Sequence, residues 1–316
     1  MRLPHLSHRQ RNRLHAALLL SAMLLLLIAL GTSLFGSDSL LLILFAAGTA
    51  VLLTPRASAW LTLRLYHARH LASDSVPGLY RIVEVLARRA GLSRQPLLFY
   101  VPSAMPNAFA MLEGGQPLIA VTDGLLRNLS QRELAAVLAH EISHIRNGDL
   151  DVMMVADLLS RLTAALSSVG WLMLMIVLPL WLLTGTTLPW LTILLLLCAP
   201  AGATLLQLAL SRSREFDADL DAVRLTGDPA GLASALAKIE QASGRRWFGL
   251  LIPVRRGTEP SWLRTHPSTQ ERVRRLQALA ADIAEPVFKV AVPIHVAPQY
   301  HVIAAPRRWH GPGVWY

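Results

Sequence analysis

The chain has 316 residues, 53% of them hydrophobic and only 16% charged, with a mean hydropathy of +0.43. The apolar residues are gathered in blocks, which excludes an ordinary soluble domain and argues for membrane spans. The net charge of +10 comes mostly from arginines scattered beside those blocks. The basic, aromatic-studded domain of a nucleic-acid binder is missing, so no nucleic-acid partner is expected.

In chain order, Ala16 to Gly36 is free of charge and long enough to cross a bilayer, and it follows Arg2, Arg9, Arg11 and Arg13. Its length and the second apolar block directly after it favour a retained span over a cleaved signal peptide. Ser39 to Pro55 is read as the return span, followed by Arg56, Arg64 and Arg69, while the link Ser37-Asp38 has no basic residue. The positive-inside rule then puts both ends of this hairpin in the cytoplasm. Pro77 to Ala90 is an amphipathic helix stopped by Gly91, and Leu97 to Val101 and Leu118 to Val121 are short strands of a small sheet. Turn-rich sequence with Pro102, Pro106 and Gly114-Gly115 separates these strands. An exposed edge of such a sheet can hold a peptide by strand addition.

Ser130 and Glu133 form a capping box, and Leu134, Val137, Leu138, Ile142 and Ile145 recur at helical spacing until Asn147-Gly148. That helix carries His140-Glu141-Ile142-Ser143-His144. Two histidines four apart project from one face and can grip one metal ion, and Glu141 on the flank can take a proton from water: the H-E-x-x-H arrangement of zinc metalloproteases.

From Arg161 to Arg212 the chain has no charged residue, enough for two further spans turning at 184–189 between Trp181 and Trp190. Arg212 and Arg214 return the chain to the cytoplasmic side. Cys198, the single cysteine, lies in this apolar run, so no disulfide forms within the chain. Just beyond lie Glu215 and Asp219. Glu215 is the candidate third metal ligand, and Asp219, one turn on, can accept from the free N–H of a ligand histidine. Spacing alone equally allows both acids to solvate a helix end and pair with Arg212 and Arg214. A helix starting at Asp228-Pro229 and stopping at Gly244 is scaffold. The 245–264 segment mixes arginines with Trp247, Phe248 and Trp262, as an interfacial flap or a solvated loop would. The tail from Glu285 is Pro- and aromatic-rich, and His295, His301 and His310 within it are read as part of an extended tail, not as ligands.

HEISHIRNGD, SRSREFDAD and THPSTQERVRRL, with PNAFA and PLIAVTDGLL upstream, together resemble the HtpX-type membrane metalloproteases, relatives of the Ste24 CAAX-prenyl proteases. The resemblance covers roughly residues 10–283 in order and stops before the tail. It implies one zinc ion held by His140, His144 and Glu215, with Glu141 as base and Asp219 hydrogen-bonded to a ligand histidine. It also implies a cytoplasm-facing site in the bacterial inner membrane, and a late histidine, His266, as donor to the developing oxyanion. Read without the resemblance, His266 is a turn residue before the helix capped by Ser268 and Glu271. Asn107, in PNAFA, is expected to position substrate, and the stretch Met111 to Gln116 departs from the family pattern.

The expected fold is a mainly α membrane protein: four transmembrane helices plus a cytoplasmic α+β zinc-metalloprotease domain with a small sheet. Residues 1–58 form a first hairpin with spans near 16–36 and 39–55. Residues 59–160 hold the zinc helix 131–146, and 161–212 form a second hairpin with spans near 165–184 and 189–210. Residues 213–284 bring the third ligand, and 285–316 are tail. The function read from this is an endopeptidase acting on unfolded or misfolded membrane-protein segments. A dedicated processing protease shares every catalytic residue. A scaffold or ion transporter is the alternative of another class, and transport predicts ionisable residues inside spans, which the third and fourth lack.

Overall fold

The computed structural model describes residues 8–184, 189–247 and 269–280. Its order is α1 (His8–Phe35), α2 (Leu40–Leu65), β1 (Arg69–His70), α3 (Pro77–Ala90), β2 (Leu97–Val101), β3 (Ala108–Glu113) and β4 (Gln116–Thr122), then α4 (Asp123–Asn128), α5 (Gln131–Asn147), α6 (Asp149–Thr184), α7 (Trp190–Thr226), α8 (Pro229–Trp247) and α9 (Thr269–Ala280). The chain divides into two compact units. One takes the described residues up to 55 and those of 151–213; the other takes 56–150 and the described residues of 214–247 and 269–280.

The first unit is helical. Among the described residues three helices are long and apolar enough to cross a membrane: Asn12–Phe35, Asp149–Pro179 and Trp190–Thr226. The expected second span differs. Its helix, α2, runs past Pro55 to Leu65, and its apolar part, Ser37–Thr49, is shorter than the other three. The interior is made of Met23, Leu27, Ala47, Ala156, Leu159 and Leu210, with Leu30, Leu196 and Ala199 forming a second cluster. Small residues let the helices approach: a Cβ on Gly170 of α6 would stand 2.2 Å from the side chain of Leu196 on α7. Their lipid-facing sides are apolar too, and Leu41, Phe45, Leu172, Ile176, Leu191 and Leu205 are all exposed.

The second unit is built on a four-stranded mixed sheet of order β1-β2-β4-β3. β2 and β4 are parallel, with Leu98 opposite Ile119, and β3 pairs antiparallel with β4, with Ala110 opposite Ile119. β3 lies in the stretch expected to be turn. Its residues Ala108 to Met111 are buried without polar alternation, which removes the strand signature, and the flanking Pro106 and Gly114-Gly115 look like loop. The departure from the family pattern between Met111 and Gln116 is the end of this strand and a two-residue hairpin. Gly114 and Gly115 have φ of +56° and +81°, the two left-handed positions that such a turn requires. Among the described residues β3 is the end strand of the sheet, with no strand paired to its outer edge.

α3 and α5 pack on this sheet through one core: Leu79, Val83 and Leu86 from α3, Leu98, Ile119 and Val121 from the strands, and Leu134, Leu138 and Ile142 from α5. α3 has the expected ends, Pro77 in its first turn and Gly91 left-handed at its C-terminus. α8 contributes Leu232 and Ala235, and α9 contributes Leu276.

Candidate metal centre

α5 starts and stops where its caps demand. The Glu133 N–H donates to Ser130 Oγ, and Glu133 Oε2 accepts the Ser130 N–H at 2.8 Å. At the other end Gly148, with φ of +70°, donates its N–H to the carbonyls of His144 and Ile145. Glu133 does more than cap. Its Oε1 accepts from Ser234 at 2.6 Å and its Oε2 from Lys238 at 2.7 Å, which fastens α5 to α8. Burial works against the charge of this carboxylate, but Lys238, Ser234 and Ser130 outweigh it and hold its pKa down at about 2.

With α5 fixed, His140 and His144 present their rings edge to face, 4.7 Å between centroids, and the two Nε2 atoms are 3.2 Å apart. Glu215 of α7 closes the group: Oε2 lies 3.3 Å from Nε2 of His140 and Oε1 lies 3.7 Å from Nε2 of His144. One donor atom from each of the three falls within 4.8 Å of the other two.

The donor set suits a divalent cation. Two imidazoles and a carboxylate are the ligand types of a catalytic zinc, and bonds of ~2.05 Å in a tetrahedron give donor separations of roughly 3.3 Å. The charges agree as well. Among the described residues, the carboxylates of Glu141, Asp149, Glu215 and Asp219 and the guanidiniums of Arg214 and Arg272 stand around the group, so with both imidazoles neutral two negative charges are left for a cation to balance.

Both other ring nitrogens meet carboxylates. Nδ1 of His140 is 3.0 Å from Oδ1 of Asp219, and Nδ1 of His144 is 3.0 Å from Oδ2 of Asp149. Burial disfavours a charged His140, yet hydrogen bonds to Asp219 and Glu215 push its pKa up to about 10. Metal entry therefore displaces a proton from this ring. Arg272 of α9 crosses behind. Its Nε and Nη2 donate to the two oxygens of Asp219 at 2.8 and 2.6 Å, and Nη1 lies 2.8 Å from Oε2 of Glu215. It is buried, which opposes its charge, but Glu215 and Asp219 raise its pKa above the ordinary arginine value.

Glu141 stands on the flank of α5, and its Oε2 accepts the N–H of Ala110 at 2.9 Å. In the antiparallel register Asn107, Phe109, Met111 and Glu113 turn their backbone groups to β4, so the N–H of Ala110 points out from the sheet edge. Glu141 is thereby tied to β3.

The expected residues His140, His144, Glu215 and Asp219 form one cluster with Glu141 beside it. Asn107 sits at the start of β3; its N–H donates to Thr122 Oγ1 at 2.8 Å and its carbonyl accepts the Thr122 N–H at 3.0 Å. His266, most of the 245–264 segment and the tail lie outside the described residues. Glu215 and Asp219 are ion-paired with Arg272, and Arg214 bonds Asp149. From the sequence alone Arg272, Asp149 and the Ala110 N–H have no place in the site, and Arg214 is only a flanking charge or a partner of the two acids. Arg272 left a trace: it stands four residues before Leu276, on the buried stripe of α9, where an arginine without a partner would be costly.

A set of membrane-length helices joined to an H-E-x-x-H helix, completed by a glutamate from a following helix, defines a membrane metalloprotease. The family model described as peptidase family M48 matches residues 75–280. The protease HtpX homologue of Pyrococcus abyssi is 35% identical over 301 residues, covering 85% of this chain and 96% of that protein. The homologue of Acaryochloris marina is 37% identical over 299 residues (86% and 96%), and the protease HtpX of Legionella pneumophila strain Corby is 34% identical over 291 (85% and 99%). The chain belongs to peptidase family M48, among the HtpX-type proteases. The crystal structure of S. mikatae Ste24p is also similar, with a TM-score of 0.46 and 21% identity over 81% of this chain and 62% of that one.

Proposed function

We propose that the protein is a zinc-dependent endopeptidase that cleaves peptide bonds at the cytoplasmic surface of the bacterial inner membrane. The observation that carries this reading is the convergence of His140 Nε2, His144 Nε2 and a Glu215 oxygen within 4.8 Å, with Glu141 on the adjoining flank. In this reading His140, His144 and Glu215 hold one zinc ion per chain. When bound, zinc supplies a Lewis acid that polarises the scissile carbonyl and makes water more acidic.

The protein's own groups do the rest. Glu141 removes the proton from the attacking water and passes it to the departing amine. The Ala110 N–H holds Oε2 of Glu141 and so fixes the orientation of this carboxylate. Asp219, clamped by Arg272, keeps the Nδ1 proton of His140 in place and its Nε2 free. The outward backbone groups of β3 other than the Ala110 N–H, which Glu141 occupies, pair with an extended peptide, which gives affinity with little demand on side chains. His266 donates to the developing oxyanion, and Asn107 positions the substrate main chain. Four spans, with α2 as the second, and cytoplasmic termini agree with the arginines that flank the apolar blocks. Unfolded or misfolded membrane-protein segments are the substrates such a site suits, because they present extended backbone at the bilayer surface.

Detergent-purified protein is expected to carry one zinc per chain and to cleave an unfolded polypeptide. Cleavage that survives Glu141→Gln sinks the mechanism. A reporter fused after Leu129 that is active only outside the cytoplasm sinks the topology.

A further inference from the structure

His144 hands its second ring nitrogen to a carboxylate outside the motif. Asp149 Oδ2, 3.0 Å from Nδ1 of His144, belongs to the first residue of α6, and the Asp149 side chain is 1% exposed. Its other oxygen, Oδ1, accepts from Nη1 of Arg214 on α7 at 2.9 Å, and that side chain is also buried. Imidazole, carboxylate and guanidinium from three helices thus form one chain, its carboxylate and guanidinium buried. The same order recurs across the site as His140, Asp219 and Arg272.

We propose that Asp149 and Arg214 are positioning residues of the metal centre: Asp149 holds His144 in the tautomer protonated at Nδ1, and Arg214 holds the carboxylate that does so. The inference rests on the reading of His144 as a metal ligand. A neutral imidazole has one donor and one acceptor nitrogen, and a carboxylate only accepts, so the proton of His144 goes to Nδ1 and the Nε2 lone pair is left facing His140 and Glu215. Arg214 only donates, so it requires an acceptor at Oδ1.

An asparagine at 149 has one oxygen and one amino group. Arg214 claims the oxygen and turns the amino group toward His144. Nδ1 must then accept, the proton moves to Nε2, and ligation is blocked there. Removing Arg214 from the same molecule frees the amide to rotate and return its oxygen to Nδ1. A merely structural ion pair predicts the reverse order, because a second deletion adds to the damage of the first.

The test uses the full-length chain in detergent as wild type, Asp149→Asn, Asp149→Asn with Arg214→Met, and His144→Ala. Zn²⁺ affinity is read by chelator competition, and ligand geometry by the visible spectrum of the Co²⁺-loaded protein. Asp149→Asn is expected to weaken Zn²⁺ binding about 10–100-fold. The double variant is expected to recover about fivefold or more, with the Co²⁺ bands recovering in parallel. A double variant that binds no better than the single one overturns the inference, and so does wild-type affinity in Asp149→Asn. His144→Ala separates the two levels. Unchanged affinity there removes the metal-site reading itself, whereas loss there with none in Asp149→Asn removes only the positioning role. If Asp149→Asn does not fold, Arg214→Lys and Arg214→Met carry the test: lysine keeps a donor and is expected within about threefold of wild type, methionine about tenfold weaker. Equal affinities for those two overturn the inference.

Discussion

Among the described residues, the buried polar side chains of the helical unit are uncharged: Thr163, Ser167, Gln207 and Ser211. Thr163 donates to the carbonyl of Leu159 one turn back, Ser167 donates to Leu196 O on the facing helix, and Ser33 meets Thr192 at 2.7 Å. The second unit also has such hydroxyls, Ser143 and Thr226 among them, but it buries charges as well, and these pair across the chain: Asp149 with Arg214, and Asp219 and Glu215 with Arg272. A hydroxyl that bonds its own helix can be lost with little consequence. A buried charge cannot, because deleting one partner strands the other without water. The first unit is therefore expected to respond to changes of volume and the second to changes of charge.

The largest effect should come from the one carboxylate that the reading makes chemical. Glu141→Gln is expected to lower kcat about 10³–10⁴-fold while leaving Zn²⁺ content and melting temperature near wild type, as seen by cleavage assay, metal analysis and calorimetry. Next is the charge network. Arg272→Met strands Glu215 and Asp219, and is expected to cost the metal-free protein about 3–5 kcal/mol in denaturant or thermal unfolding. Saturating Zn²⁺ should restore part of that, since the cation replaces the missing positive charge; no restoration would deny that the cation and Arg272 serve the same charges.

A change of volume should do the opposite. Gly170→Leu drives a side chain into Leu196 and is expected to destabilise the helical unit by about 1–3 kcal/mol, with Zn²⁺ affinity unchanged in chelator competition. A matching loss of metal affinity would erase the contrast between the units.

The smallest effect concerns Glu133, whose pKa is lowered when folded. Its contribution is present above the ordinary carboxylate pKa near 4.5 and is lost as the pH falls toward about 2. Across that window Glu133→Gln should flatten the fall in melting temperature by the equivalent of about 1–2 kcal/mol. At pH 7 the same variant should be less stable than wild type.

The contrast also explains what could be read without coordinates. The apolar blocks announced α1, α6 and α7, and local capping chemistry gave the ends of α3 and α5 to within a residue. Both signals are contained in short windows. Glu215 needed more than its own surroundings, because SRSREFDAD alone equally fits acids paired with neighbouring arginines. Arg272 depends on Asp219, 53 residues away, and the Asp149–Arg214 pair spans 65, which no short window covers, although Asp149 itself lies only five residues from His144. β3 was obscured for a local reason. Ala108 to Met111 are buried, and a Gly-Gly pair that is in fact the hairpin's turn reads as loop.

The bond from the Ala110 N–H to Glu141 has a consequence for how this protein is dissected. The donor belongs to the main chain, so a scan that exchanges side chains at position 110 probes the packing of that buried site and leaves the bond itself untested. Nineteen of the twenty amino acids keep that N–H; only proline lacks it. A backbone ester, made by placing a hydroxy acid at 110, would remove the donor and leave the side chain untouched.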